Sequence, residues 1–285
     1  MISVAPESAR EGLDRATFDR IREIVYRAAG IVLNDEKATL VAGRLGRRMR
    51  ELGFKSPRDY LSHLERDRSG EELTQLLDVM STNVTHFFRE ADHFEFVRQL
   101  YVRWLDGGQR RFRFWSAAAS SGEEPYTLSM SLLEEARDPS IDLRILATDI
   151  STAILARAID GIYPERAVSQ IPRQLLLRYF VREQGQGEAN YVATEVLRKP
   201  LLFRHLNLAI LPLPLKGPLD LILCRNVMIY FDQGLRARLV AEFARLLKPG
   251  GCLIVSHSES LVGIESTLKM VRPSVYLKPS AAEGG

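Results

Sequence analysis

The sequence predicts an α/β fold: a mostly parallel, doubly wound sheet with helices on both faces, a small all-helical domain before it and an antiparallel β lobe inserted into it. Three observations carry this. Phe112 to Trp115 is an apolar, strand-like run that gives way to small residues from Ser116 to Gly122, then to a helical pattern from Glu123 through Tyr126, Leu128, Met130 and Leu133. Strand signals recur at Asp142 to Thr148, Leu219 to Cys224 and Gly251 to Val255, and strands alternating with helices imply parallel pairing. Residues 13 to 80, by contrast, carry helical periodicity alone.

At 285 residues the chain is long enough for two domains and a large core. Its net charge of +3 is too mild to imply a nucleic-acid partner by itself, so the distribution of charge matters more. There is no apolar run of signal-peptide length at the N-terminus and no stretch long enough to span a bilayer, so a soluble, cytoplasmic chain without membrane insertion is expected. Cys224 and Cys252 each sit in an apolar strand-like segment and read as buried thiols. The five histidines show no ligand spacing, and no metal is expected.

Taken in order, residues 1–12 read as a flexible lead-in. From Phe18, Ile21, Ile24, Val25 and Ala28 keep helical spacing, and Gly30 supplies a stop. A second helix is expected from about Asp35 to Leu52, with Val41, Leu45, Met49 and Leu52 inward and Gly53 closing it. On its other side Lys37, Arg44, Arg47 and Arg48 fall within roughly 100° of one another on a helical wheel. Two readings fit that basic stripe: an ordinary solvated face, or an electrostatic dock for an acidic partner. Ser56-Pro57 opens a third helix through Tyr60, Leu61 and Leu64, and Glu71 to about Met80 forms a fourth. No aromatic or Asn/Gln reading face accompanies the arginines, which argues against DNA binding.

Residues 81–95 read as a linker into the α/β domain, 96–285. Asn83, Thr85 and Arg89 cluster there beside Phe87 and Phe88, and polar groups at a domain junction suit ligand contact; a capped linker whose two aromatics plug the domain interface fits as well. His86 beside them reads as packing. At the turn after the first strand, small residues let a ligand approach the backbone, while Glu123 and Glu124 suit the helix dipole but repel phosphate. The ligand expected is therefore a nucleoside type with ammonium or hydroxyl donors, such as S-adenosylmethionine, although the same pattern also caps ordinary helices. Asp149 ends the second strand 27 positions beyond Gly122, where a doubly wound fold places its ribose-hydroxyl ligand. A Lys248-Pro249-Gly250-Gly251 turn separates the last helix from the strand at Gly251. At about 178–206, Phe180, Tyr191 to Val196 and Leu201 to Leu206 read as an antiparallel lobe divided by Gly185 and Gly187, serving partner binding or acting as a plain extension.

At Cys224-Arg225-Asn226-Val227-Met228-Ile229-Tyr230-Phe231-Asp232 a specific resemblance emerges. Together with Ser-Ser-Gly-Glu-Glu-Pro-Tyr-Thr, Ala-Thr-Asp-Ile-Ser, Thr-Asn-Val-Thr-His-Phe-Phe-Arg-Glu and Lys-Pro-Gly-Gly…Ser-His-Ser-Glu, this stretch resembles the chemotaxis receptor methyltransferase family, CheR, from about Phe18 to Leu277. The resemblance implies a Rossmann-like, class I methyltransferase fold. It implies an enzyme that uses S-adenosylmethionine, giving S-adenosylhomocysteine, to esterify glutamates on the cytoplasmic helices of chemoreceptors. It further implies that Asn83, Thr85, Arg89, Glu123 and Asp149 contact the cofactor, and that Asn207, Leu208, Arg225 and Asn226 border the adenosine and methyl-transfer pocket. Tyr230 would sit near the reactive methyl group, with Arg89 and Tyr230 as the catalytic candidates. The β lobe resembles one that in some members captures a receptor C-terminal peptide by strand addition. A relative acting on another signalling protein and a non-catalytic cofactor-binding scaffold are the alternatives. One departure is visible: where family members commonly carry Ala-Gly-Cys-Ser, this chain has Ala117-Ala118-Ala119-Ser120, and a positive φ at Ala118 would weaken cofactor binding.

Overall fold

The computed structural model describes residues 13–136, 138–184 and 188–280, so the expected lead-in at 1–12 and the glycines at 185 and 187 lie outside the described residues. The chain divides after Ser81 into a helical unit and a larger α/β unit.

The helical unit consists of α1 (Arg15–Ala29), α2 (Ala38–Leu52), α3 (Pro57–Arg66) and α4 (Glu71–Met80). Asp14 caps α1 by accepting the Thr17 N–H at 2.8 Å, and Gly30 ends it in the left-handed conformation. Phe18, Ile21, Val25, Val41, Leu45, Met49, Tyr60, Leu64 and Leu76 form its core. The second helix opens with a 3-10 turn over Asp35–Lys37, and Leu52, expected inward, is 39% exposed. It lies in the last turn before Gly53, beyond the stripe that Val41, Leu45 and Met49 keep buried.

The α/β unit begins with α5 (Ala91–Asp106), β1 (Arg111–Ser116), α6 (Glu123–Leu133), β2 (Asp142–Asp149) and α7 (Thr152–Asp160). β3 (Ile162–Pro164), α8 (Glu165–Val168), α9 (Arg173–Tyr179), β4 (Phe180–Glu183), β5 (Asn190–Ala193), α10 (Glu195–Arg198) and β6 (Leu201–His205) follow. The chain closes with β7 (Leu219–Leu223), α11 (Gln233–Leu246), β8 (Leu247–Ile254), β9 (Lys269–Arg272) and β10 (Val275–Leu277).

The main sheet has the order β6-β2-β1-β7-β8-β10-β9. From β6 to β8 all pairings are parallel, and β10 runs antiparallel to both β8 and β9. From β1 the chain builds outward through β2 to β6, then returns to lay β7 and β8 on β1's other side. The order therefore reverses between β1 and β7, which is where such a sheet opens a ligand crevice at its carboxyl edge. Alternation along the strands divides the core: Phe112, Phe114, Leu221, Leu223 and Ile254 pack under α5 and α6, whereas Trp115, Ile222, Leu253 and Val255 pack under α11. Cys224 and Cys252 are buried free thiols.

Two expectations are corrected. The lobe is a three-stranded antiparallel sheet ordered β3-β5-β4, and Leu201–His205 belongs to the main sheet, paired parallel to β2 from Ile145↔Leu201 to Asp149↔His205. A period of two marks a strand but not its partner, and β3 at three residues is too short to leave a pattern. The turn at Lys248 to Gly251 instead lies within β8, where the register against β7 slips between Leu219 and Leu221 and Gly250 has φ 72°.

Candidate active site

Because β6, β2, β1 and β7 are parallel neighbours, the segments that leave their carboxyl ends emerge side by side. After β1 comes the small-residue turn. Its left-handed residues are Ser120 (φ 49°) and Gly122 (φ 99°), and Ala118 is not among the positive-φ residues, so its departure from glycine carries no such strain. Glycine is needed at 122, where a Cβ would lie 2.7 Å from the Tyr163 hydroxyl and 3.1 Å from the Ala158 Cβ. Tyr163, on β3, also donates to the Ser121 carbonyl at 2.7 Å, tying the lobe to the turn.

Asp149 at the end of β2 braces the same turn. Its Oδ2 accepts the Ser120 N–H at 2.8 Å and its Oδ1 the Ser151 N–H at 3.0 Å, so both oxygens are oriented toward the turn and the start of α7. Ser120 Oγ reaches the Asn83 carbonyl at 3.4 Å, which places the 81–90 segment against the turn. The Leu206 N–H donates to the Asp149 carbonyl at 3.0 Å, which sets Asn207 and Leu208 beside it. Asn207 Oδ1 accepts the Ala209 N–H at 2.9 Å; the Leu208 side chain lies in the core with Trp115 and Leu213, which leaves its backbone for any ligand.

Glu123 and Glu124 play different parts. Burial raises the pKa of Glu123, which is 7% exposed, and a hydrogen bond from Ser121 Oγ at 2.6 Å partly opposes the rise. Among the described residues it forms no ion pair. A buried carboxylate of this kind suits the ammonium or hydroxyl donors of a cationic nucleoside, so the residues present fit S-adenosylmethionine. Glu124 is occupied: its Oε2 accepts from Arg225 Nη1 at 2.9 Å and its Oε1 from Ser116 Oγ at 2.7 Å. Burial raises its pKa too, and the Arg225 charge pulls it back.

Arg225, 5% exposed, is the hub of this side of the site. Besides Glu124 it holds Glu90 Oε2 at 3.0 Å, donates to the Arg89 carbonyl, and lies 5.3 Å from the Phe94 ring centre. The side chain expected to border the cofactor thus locks the 81–90 segment to α6 and β7. Arg89 itself is half-buried and donates to the Val84 carbonyl at 3.0 Å; Asn83 and Thr85 are half-buried near it. Phe87 is fully buried against Tyr163 at 4.9 Å and Phe180 at 5.7 Å, so it seals the lobe against α6. His86 is exposed and meets the Phe87 carbonyl at 3.1 Å.

Asn226 has φ 60°, and Tyr230 sits half-buried in a 3-10 turn over Met228–Tyr230. Although no histidine spacing was visible in the sequence, the fold brings Glu90, His93 and His257 within 4.8 Å of one another. The same Glu90 oxygen already faces Arg225, so a guanidinium supplies the cation there. Burial, then Arg225, push His93 down to about 4, which keeps it neutral.

In the helical unit the four stripe residues separate. Arg48, its side chain 15% exposed, pairs with Glu72 at 2.6 Å, and Glu72 also accepts from the Tyr60 hydroxyl at 2.7 Å. Arg44 donates to the Met80 carbonyl at 2.6 Å while half-buried, Lys37 reaches the Val32 carbonyl at 3.4 Å, and Arg47 is exposed. Sequence reasoning missed Glu90, Ser120 and Glu259 as parts of the site. Glu259 was visible only as the last residue of a Ser-His-Ser-Glu motif.

Two family models match the chain: one described as "CheR methyltransferase, SAM binding domain" over residues 83–277, the other as "CheR methyltransferase, all-alpha domain" over 16–81. The chain is 39% identical over 262 residues to "Chemotaxis protein methyltransferase 2" of Pseudomonas aeruginosa, covering 92% of each chain. It is 38% identical to a "Chemotaxis protein methyltransferase" of Borreliella burgdorferi, covering 92% of this chain and 93% of that one. To the protein of that name from Escherichia coli it is 38% identical, covering 94% of this chain and 92% of the other.

Proposed function

The chain belongs to the CheR methyltransferase family, and from that premise we propose that it esterifies glutamate side chains on the cytoplasmic helices of chemoreceptors. It is an S-adenosylmethionine-dependent methyltransferase of chemotaxis. The observation that carries the cofactor reading is the buried Glu123 carboxylate, which forms no ion pair among the described residues and opens the helix behind the turn that Asp149 braces, next to the strand where the order reverses. No helix among the described residues is long and apolar enough to cross a membrane.

A free glutamate with a pKa of about 4.3 is ionised at neutral pH, so its carboxylate needs no general base to act as nucleophile. The cofactor, when bound, supplies a methyl group activated by a sulfonium. What remains for the protein is alignment and exclusion of water, and positioning of this kind contributes about 7 to 11 kcal/mol. Asp149 and Glu123 hold the nucleoside and amino ends. Arg225 fixes the backbone of Arg89, and in this reading the Arg89 guanidinium meets a carboxylate while Tyr230 lies near the reacting methyl group. A tight salt bridge from Arg89 to the substrate glutamate would stabilise the ground state, so a cofactor-carboxylate contact serves better.

Incubation with methyl-labelled S-adenosylmethionine and receptor-containing membranes tests the reading. Label on receptors that mild base releases as methanol is expected. Cofactor binding without labelled receptor would point to another acceptor or to a scaffold.

The dock for the acidic receptor helix is narrower than the sequence stripe. Arg47, with Lys37 and Arg44 beside it, serves the partner, whereas Arg48 holds α2 to α4 through Glu72. Arg47→Ala is expected to raise the KM for receptor about 2- to 5-fold, with the difference vanishing at high salt, because exposed charges act at screened range. A KM that ignores both salt and the substitution would remove the helix from the docking surface. The outer strand β4, with exposed Val181, Arg182 and Glu183, offers an edge for adding a receptor C-terminal peptide.

A further inference from the structure

Glu259, on the loop after β8, is 5% exposed, and among the described residues it has no cationic partner. Its charge is held by four donors. Oε2 accepts the Asn226 N–H at 2.9 Å, the Ser256 N–H at 2.9 Å and the Ser256 hydroxyl at 2.8 Å, while Oε1 accepts the Ile229 N–H at 3.2 Å. Two of these donors belong to the segment that carries Asn226 and Tyr230, within which the Tyr230 N–H reaches the Val227 carbonyl and the Phe231 N–H the Met228 carbonyl, both at 3.1 Å. Asn226 is held at φ 60°, a conformation that costs a non-glycine residue free energy unless its surroundings enforce it. The other end of the anchor is firm. Ser256 is fully buried, the Glu259 N–H returns to its carbonyl at 3.0 Å, and the Ser274 hydroxyl donates to the same carbonyl at 3.1 Å.

From this we infer that Glu259 is a positioning residue for methyl transfer. Fixed to the end of β8, it draws the Asn226 and Ile229 amides onto one carboxylate and thereby sets the turn that aims Tyr230 into the crevice. The inference rests on the reading of Tyr230 as the residue beside the reacting methyl group.

Glu259→Gln tests it selectively. A carboxamide has one acceptor oxygen, and the orientation that keeps three bonds puts that oxygen on Asn226 and Ser256. Its NH2 then faces the Ile229 N–H, donor against donor, immediately before Tyr230. Expected are a kcat lowered about 10-fold, cofactor Kd within about threefold, and no further fall in kcat when Glu259→Gln is added to Tyr230→Phe, since groups that act as one unit are not additive. Hydrogen exchange over residues 226–231 should quicken in the Gln variant with the rest of the chain unchanged, a readout that needs no turnover. Unchanged kcat, unchanged exchange, or losses that multiply between the two substitutions would each overturn the inference. Full turnover in Tyr230→Phe alone would instead remove Tyr230 from the mechanism, and with it the role assigned to Glu259.

Discussion

Arg225→Ala is expected to lower folding stability by on the order of 3 to 5 kcal/mol, because it leaves the buried Glu124 carboxylate without its counter-charge. The guanidinium also holds Glu90 and the Arg89 carbonyl, so the loss reaches the segment that carries Asn83, Thr85 and Arg89, and catalysis should fall even where the variant folds. The pH dependence has a definite sign. The pKa of Glu124 is already raised by burial, and Arg225 restrains that rise. A carboxylate whose folded pKa exceeds its unfolded one is most favourable to the fold below the unfolded value, about 4.3, and stability is lost as pH rises through the folded value. Without Arg225 that folded value climbs further. Urea melts should therefore show a smaller deficit at pH 5 than at pH 8, and Glu124→Gln in the same chain should recover much of it. An equal deficit at both pH values would mean that Glu124 is not the group left exposed to the cost.

Asp149→Ala is expected to weaken cofactor binding roughly 100-fold or more. Hydrogen bonds to a charged acceptor contribute about 1.5 to 3 kcal/mol each, and the ribose role proposed for Asp149 would involve two of them. The structure adds a second effect, because the carboxylate also accepts the Ser120 and Ser151 amides and so shapes the turn that a ligand approaches. Asp149→Asn separates these contributions: its single acceptor oxygen can keep one of the amides while halving the capacity for hydroxyls. Calorimetric titration with S-adenosylhomocysteine should rank wild type above Asn above Ala. Near-normal affinity in the Ala variant, with an unchanged melting temperature, would refute the ribose assignment.

Much of this protein was legible from local pattern. The four helices before Ser81, the strand, turn and helix from Phe112 to Leu133, and Asp149 at a strand end follow from apolar period, capping and glycine placement, which depend on residues a few positions apart. The family motifs lie on those same segments, so the cofactor class could be read with them. What the sequence could not decide is pairing across the fold. Leu201–His205 has a strand's period whether it joins the lobe or the main sheet, and only its hydrogen bonds to β2 choose. Arg48 looks like Arg47 on a helical wheel until Glu72 and Tyr60 close around it. Arg225 and Glu259 carry no local sign of their partners: Glu90 and Glu124 meet the first from two other elements, and the Asn226 and Ile229 amides reach the second. The physical reason is common to all four. Local structure is fixed by interactions along the chain, whereas a strand's neighbour and the partners that desolvation forces upon a buried charge come from segments remote in sequence.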